Sequence, residues 1–320
     1  MKIVFLEKAG LGEDVDVSIF DKFGEVYLYD QTTPRQIEER IRDVDILFVS
    51  KLPMNESTLK NAGKLKLICV TATGTNNIDI CYTNARGIVV TNVAGYSTKS
   101  VVQHTFACAL YLIEKLSFYD HYVKSGEYTN CKAFGYFENQ FSELSNKTWG
   151  IIGLGAIGRG VADIAQMFGC NVIYYSTSGK NENKDYQQVE FETLCSNADI
   201  ISIHAPLNKD TQNLITLDVM KKMKSSSILI NVGRGGIVNE EDLLDALNNQ
   251  LIAAAALDVL EKEPMKKDHP LLKIQDSTKL LITPHMAWGT VEARRRLVDE
   301  LYKNVEAFLE GVQRNVIILQ

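Results

Sequence analysis

Gly153-Leu154-Gly155-Ala156-Ile157-Gly158 follows an apolar strand candidate, Trp149–Ile152, and opens a helical stretch, Ala156–Phe168. No other feature constrains the chain as much. A strand that enters a helix through a glycine-rich turn is the opening of a crossover unit, and crossover units build parallel sheets. Gly153 permits the tight turn, Gly155 lets backbone approach a pyrophosphate, and Gly158 lets the helix pack on its strand. The helix N-terminus, with Ala156 and Ile157, adds unpaired N–H groups and the positive end of the dipole. The turn therefore predicts a dinucleotide site; a turn with no ligand is the bland alternative, which the strand–turn–helix context disfavours.

The rest of the chain repeats the same rhythm. Strand candidates Lys2–Leu6, Glu25–Tyr29, Asp45–Val49, Leu65–Val70 and Ile88–Thr91 alternate with helix candidates Pro34–Arg42, Asn55–Ala62 and Ile78–Ala85. One long helix is expected from Ser97 to Val123, then a polar, aromatic excursion, Lys124–Ser145. Alternation restarts at Trp149 and continues through Asn171–Tyr175, Asp199–Ile203, Ser227–Val232, Ile252–Asp258 and Lys279–Ile282, and a helix Thr290–Glu310 closes the chain. Small side chains at Ala253–Ala256 suit either a close ligand approach or plain packing. The fold class expected is α/β with two domains, each a parallel sheet flanked by helices. Residues 1–98 with 286–320 form one and residues 99–285 the other. A chain of 320 residues, 45% hydrophobic, can bury two such cores.

Composition excludes several function classes. A net charge of −6 gives no electrostatic reason to expect nucleic acid or an anionic membrane as partner. Arg294-Arg295-Arg296 lies among Glu292, Asp299 and Glu300 and reads as a solvated helix face. The six cysteines form no C-x-x-C unit and pair with no histidine at metal-ligand spacing, so buried free thiols and no metal are expected. The apolar start is too short for a signal peptide, and no run approaches the roughly 20 residues of a membrane span, so a cytoplasmic protein is the expectation.

An NAD-specific site carries Asp or Glu at the end of the strand after the glycine turn, where it holds the ribose 2′-hydroxyl. Here Ser176 stands there, followed by Thr177, Ser178, Gly179 and Lys180. Nothing repels a 2′-phosphate, so NADP is open; Ser176 on the 2′-hydroxyl gives NAD, and NAD is the slight preference. Three further segments leave strand ends: Asn231–Gly236, Leu257–Pro264 and Thr283–Trp288.

With His204-Ala205-Pro206-Leu207 and the glycine turn, these segments resemble the D-isomer-specific 2-hydroxyacid dehydrogenases in order and spacing, over essentially the whole chain. The resemblance implies a Rossmann-type cofactor domain and a flavodoxin-like substrate domain. It makes Arg234 the clamp on the substrate carboxylate and keto oxygen, a geometry suited to a planar guanidinium. It makes His285 the acid/base and Glu263 the carboxylate that holds the other ring nitrogen and favours the protonated ring. Glu261 competes with Glu263, and Pro264 selects Glu263 by the family pattern. A surface arginine and a core histidine are the bland alternatives. Cofactor-lining roles fall to His204, Ala205, Pro206, Val232, Gly233, Arg234, His285, Ala287 and Asp258, the last on the nicotinamide side. His204, although it follows a strand, is not expected to be catalytic.

The loop Thr71–Asp79 resembles the family's carboxylate-binding loop, pointing to Thr73, Gly74 and Thr75. Lys51 is either a second substrate-side group or a surface lysine. Asn76-Asn77 and Trp288 resemble those of members acting as D-glycerate dehydrogenase or hydroxypyruvate reductase, with glyoxylate as a second substrate. Other D-2-hydroxy acids such as D-lactate, and a cofactor-sensing binding protein, are the alternatives. Pro284 argues against the formate dehydrogenase branch, which has Gln there. An end at Gln320 leaves no room for the regulatory domain of some phosphoglycerate dehydrogenases. The family is usually homodimeric, and the aromatics Tyr128, Phe134, Tyr136, Phe137 and Phe141 fit an interface arm or a cover over the chain's own core.

Overall fold

Runs such as Ile46–Val49 and Leu67–Val70 are apolar at every position, and every residue of them is buried. Strands covered on both faces read this way because a parallel sheet carries helices on each side. The computed structural model describes residues 1–180 and 183–318. The chain divides into two compact units, Met1–Ser97 with Gly289–Gln320, and Thr98–Trp288.

The first unit contains β1 (Lys2–Phe5), β2 (Glu25–Leu28), α1 (Pro34–Ile41), β3 (Ile46–Val49), α2 (Glu56–Leu59), β4 (Leu67–Val70), α3 (Ile80–Ala85) and β5 (Val89–Thr91). Helix starts are encoded locally. Thr33 and Gln36 form a capping box with Pro34 at the first helical position, and Asp79 accepts from Tyr82 N–H. The strands pair in parallel in the order β2-β1-β3-β4-β5, the flavodoxin-like arrangement. Val4, Leu47, Ile68 and Val90 pack with Ile37, Ile41 and Leu59 of the helices. Phe5 and Phe48 stack with ring centroids 4.0 Å apart, against Phe20.

The second unit contains α4 (Thr98–Ile113), α5 (Leu116–Lys124), β6 (Thr148–Ile152), α6 (Ala156–Met167), β7 (Asn171–Tyr175), β8 (Gln187–Gln188), α7 (Phe191–Asn197), β9 (Ile200–Ile203), α8 (Leu217–Met220), β10 (Ile228–Asn231), α9 (Glu240–Asn248), β11 (Ala254–Leu257) and β12 (Leu280–Ile282). Its parallel sheet runs β12-β11-β10-β9-β6-β7-β8. With β6 as the first strand this is the Rossmann order extended by one strand, and the order reverses between β6 and β9. Alternate residues serve opposite cores. Ile151, Ile230, Ala254 and Ala256 pack with α4 and α6 residues such as Val101, Ala109 and Val161. Ile152, Ile201, Leu229 and Ala255 pack with Leu194, Met220 and Leu243 of α7, α8 and α9. The alanine run is thus explained by packing: small side chains on β11 let α4 lie close.

The long helix expected from Ser97 to Val123 is two helices. Lys115 breaks it with a left-handed φ of 50°. Nothing between Glu114 and Leu116 signals a break; the cause is tertiary. Lys115 Nζ donates to Asn139 Oδ1, and α5 packs Phe118, Tyr119 and Tyr122 against Tyr136, Phe141 and Tyr128 of the excursion.

The final helix, α10 (Val291–Leu309), rejoins the first unit, capped by Thr290. Arg294 donates to the Asp14 carboxylate at 2.9 Å and to Leu11 O, and Arg296 donates to Tyr96 O. Only Arg295 of the basic triplet is exposed, so the cluster is a clasp within this unit rather than a solvated face. The return crossing falls after Trp288 rather than at 285/286. Asp258 accepts from Met286 and Ala287 N–H, and Ser100 donates to Ala287 O, which binds this segment to the second unit.

Candidate active site

Strand ends of the second sheet bring its loops together on one edge. Gly153 follows β6 with φ 91°, and a Cβ there would lie 2.9 Å from Ala205 N in the loop after β9. A Cβ at Gly233, after β10, would lie 3.0 Å from Ala205 O. The loops therefore approach backbone to backbone, at the switch point where doubly wound sheets bind ligands.

The glycine turn fits a dinucleotide. No side chain caps the N-terminus of α6, so its first N–H groups are left for a ligand. A Cβ at Gly155 would meet nothing within 4 Å, so a pyrophosphate has access to bare backbone. Gly158 is needed for another reason: its Cβ would lie 2.3 Å from Gly153 O. Ser176, at the end of β7, is buried, and its Oγ has no partner among the described residues. Thr177 is half-buried and Ser178, Gly179 and Lys180 are exposed in a turn closed by Gly179 N–H on Ser176 O.

His204 has an enclosed ring although the residue as a whole is half-buried. Trp149 Nε1–H donates to Ser202 Oγ at 2.9 Å, and Ser202 Oγ lies 3.0 Å from His204 Nε2. Nδ1 has no partner among the described residues. Burial pushes the ring down to about 3, so it is neutral at physiological pH. A neutral buried histidine stabilises the fold fully above its unfolded value of about 6.5 and progressively less as pH falls toward the folded value. His204→Gln is therefore expected to flatten the loss of Tm between pH 6.5 and 4.5. The wild type should lose at most about 1.4 kcal/mol per pH unit more than the variant. Parallel Tm-against-pH curves for the two proteins would contradict this.

Three catalytic candidates share the second unit. Arg234 follows β10; its Nη1 donates to Gly233 O, and its turn is shaped by Asn231, which accepts from Gly233 N–H and donates to Arg234 O. Glu263 lies in the loop after β11. One carboxylate oxygen accepts from Leu260 N–H at 3.0 Å, and the other lies 2.6 Å from His285 Nδ1. A carboxylate only accepts, so Nδ1 carries the proton and Nε2 is the nitrogen left to exchange one. The carboxylate on His285 is that of Glu263, while Glu261 is exposed and its backbone N–H donates to Glu240.

His285 has φ 53°, the left-handed region, which costs a non-glycine residue roughly 1 kcal/mol or more. Its N–H donates to both Asp258 O and Thr283 O, and the next two N–H groups donate to the Asp258 carboxylate at 2.8 and 2.9 Å. Asp258 is 2% exposed and also accepts from Thr283 Oγ1 at 2.6 Å. Through these contacts Asp258 fixes the backbone that aims His285. Ala287 is buried, Val232 is 8% exposed, Pro206 is exposed and Trp288 packs on the apolar core of this unit. The sequence reading missed Asn231 and also His104, whose Nε2 lies 3.1 Å from Thr283 Oγ1. A histidine on the mostly apolar α4 was the available signal. Among the described residues no cluster of three or more metal-ligating side chains exists, and no helix is long and apolar enough to cross a membrane.

In the first unit, the backbone N–H groups of Thr73, Gly74 and Thr75 take no acceptor among the described residues. Thr73 Oγ1 donates to Val93 O and Asn92 Nδ2 to Thr73 O, which hold the loop open at both sides. Asn77 Nδ2 donates to Leu52 O, so that asparagine has a structural task. Lys51 has an exposed side chain, while the backbone N–H groups of Ser50, Lys51 and Leu52 enclose the Glu7 carboxylate.

Comparison with known proteins agrees with this geometry. The family model for the NAD-binding domain of D-isomer-specific 2-hydroxyacid dehydrogenases matches residues 106–287. A glycerate dehydrogenase of Methylorubrum extorquens is 38% identical, covering 99% of this chain and 98% of the relative. A hydroxypyruvate reductase of Blautia hydrogenotrophica is 36% identical, covering 99% of each. The D-lactate dehydrogenase of Aquifex aeolicus, solved with NAD and lactic acid, superposes with a TM-score of 0.87 at 27% identity, covering 99% of each chain. Two parallel sheets in these strand orders, a glycine turn with room for a dinucleotide, and a histidine–carboxylate pair in the same unit as a strand-end arginine all belong to one lineage: the chain is a member of the D-isomer-specific 2-hydroxyacid dehydrogenase family.

Proposed function

We propose that this protein reduces hydroxypyruvate to D-glycerate, with glyoxylate as a second substrate, using NADH. The observation that carries the reaction is the 2.6 Å contact between His285 Nδ1 and Glu263. It fixes the tautomer, supports a charged imidazolium and leaves Nε2 to give its proton to the substrate's carbonyl oxygen. The nicotinamide, when bound, supplies the hydride that reaches the carbonyl carbon. Arg234 binds the substrate carboxylate and polarises the keto oxygen; in the first unit, the N–H groups of Thr73, Gly74 and Thr75 with Lys51 are assigned to the carboxylate. The choice of hydroxypyruvate rests on the glycerate dehydrogenase and hydroxypyruvate reductase relatives at 38% and 36% identity. The pyrophosphate is assigned to the turn Gly153–Gly158, with Ala156 and Ile157. The loops carrying His204, Ala205, Pro206, Val232, Gly233 and Ala287 line the rest of the cofactor.

NADH oxidation with hydroxypyruvate, glyoxylate, pyruvate and phenylpyruvate tests the reading. Hydroxypyruvate is expected to give the highest kcat/KM. Tight cofactor binding without turnover of any of the four would overturn it in favour of a cofactor-sensing protein. The same assay with NADPH tests the cofactor, and kcat/KM is expected to favour NADH. Arg234→Gln is expected to lose about 2–4 kcal/mol of binding to the reacting substrate, roughly 30- to 1,000-fold in kcat/KM. An unchanged KM and kcat would remove Arg234 from the site.

A second copy of this chain is proposed as partner. Phe134, Phe137 and Phe141 are 92%, 71% and 53% exposed on the excursion after α5, a cost to solubility unless covered. Gel filtration should give a dimer, and Phe134→Ser with Phe137→Ser should shift it toward monomer. We also place the protein in the cytoplasm. All six cysteines are free, and burial pushes the thiols of Cys69, Cys108 and Cys195 up to about 12, as suits a reducing compartment.

A further inference from the structure

Glu240 is the first residue of α9, yet its carboxylate does not serve that helix. Asn239 already caps α9 through Asp242 N–H at 3.0 Å. Glu240 reaches outward instead. Its Oε1 accepts from Glu261 N–H at 2.6 Å, and its Oε2 lies 2.8 Å from His269 Nε2. His269 Nδ1 accepts from Leu271 N–H at 3.3 Å, so the ring's proton sits on Nε2 and points at Glu240. The two side chains are only 10% and 13% exposed.

The contacts of Glu240 fall at the two ends of the segment that carries Glu263. Glu261 is near its start and His269 near its end. Glu263 depends on the start: its Oε1 accepts from Leu260 N–H, and its Oε2 meets His285. The peptide between Leu260 and Glu261 is pressed onto Gly235, where a Cβ would lie 1.8 Å from Leu260 O and 2.5 Å from Glu261 N. That peptide therefore has Gly235 on one side and the Glu240 carboxylate on its N–H.

We propose that the half-buried Glu240–His269 pair is a positioning device for Glu263: it clamps the Leu260–Glu261 peptide and so holds the carboxylate at hydrogen-bonding distance from the acid/base His285. This rests on the reading of His285 and Glu263 given above. Neither Glu240 nor His269 touches substrate or cofactor in this role. His269 orients Glu240, Glu240 fixes the peptide, and the peptide sets Glu263.

The test uses the full chain with NADH and hydroxypyruvate. Gln at 240 presents a donor to one of its two donor partners, so E240Q loses one contact whichever way the amide turns. E240Q is expected to lower kcat at least about tenfold, with the KM for hydroxypyruvate within about threefold and the NADH Kd within about twofold of wild type. H269L, which removes the Nε2 donor, should fall with it, and E240Q/H269L should be no slower than E240Q alone. H269Q keeps an N–H at the place of Nε2 and should return to within about threefold of wild type. A role in stability alone predicts a lower Tm and kcat reduced only in proportion to the folded fraction; that result overturns the proposal, as does wild-type kcat in E240Q. Should E240Q fail to fold, the contrast between H269L and H269Q carries the same test, and equal kcat in the two overturns it. H285A is measured alongside. If H285A turns over normally, the reading of the active site has failed; if H285A is inactive while E240Q is normal, only the positioning role has failed.

Discussion

His285→Ala is expected to cut kcat for hydroxypyruvate reduction by about 10²–10⁴, the range for removal of a general acid. The NADH Kd should stay near wild type, because the glycine turn and α6 do not involve His285. The loss should appear in kcat more than in KM, since the proton is given to the oxygen only as the bond order changes. Stability should change little. Position 285 has φ 53°, and Ala tolerates that conformation no better than His, but the hydrogen bonds that hold it come from backbone N–H groups and Asp258. Glu263→Gln should be milder than His285→Ala: the amide keeps only one of the two contacts, to Leu260 N–H or to Nδ1, but the imidazole that gives the proton remains. A kcat in His285→Ala within tenfold of wild type would remove the histidine from the chemistry.

The second large effect separates two glycines of one motif. Gly155→Val is expected to leave Tm unchanged. Its φ is −77°, which any residue adopts, and an added Cβ would meet nothing within 4 Å. The same open space is where a pyrophosphate approaches backbone, so the NADH Kd should rise at least about tenfold, some 1.4 kcal/mol or more. Gly158→Val should behave in the opposite order. Its Cβ would lie 2.3 Å from Gly153 O and 3.2 Å from Ile151 Cγ2, so α6 must move off β6. Overpacking of this kind costs about 1–3 kcal/mol, and Tm should fall measurably before cofactor binding is considered. Fluorescence titration of NADH and thermal melts of the two variants check this. Normal NADH binding by Gly155→Val would mean that the dinucleotide does not lie on this turn.

Much of this architecture is legible in contiguous residues. The strands of both sheets were readable because four or five apolar residues bounded by turn signals can be buried only in a covered sheet. The helix starts expected at Pro34 and Thr290 fall within a residue of those observed, while the one expected at Ile78 begins at Ile80, capped by Asp79. The two-residue strand Gln187–Gln188 was not readable, since two polar residues carry no period. The break at Lys115 was not, because its partner Asn139 lies 24 positions away in a segment without periodicity.

The same division runs through the candidate site. By itself the sequence determined the strand–helix rhythm and the glycine turn, because each is written in a short segment whose spacing reflects local geometry, and resemblance to a family pointed to Arg234, Glu263 and His285 as candidates. Only the tertiary structure decided what those residues are held by. Asp258 is directed into the protein by N–H groups 28 and 29 positions on, and Glu240 reaches across 21 positions to clamp the Glu263 loop. Such contacts depend on which strands of the sheet are neighbours. Hydrogen-bond partners are set by sheet order, and sheet order is not written in any one segment.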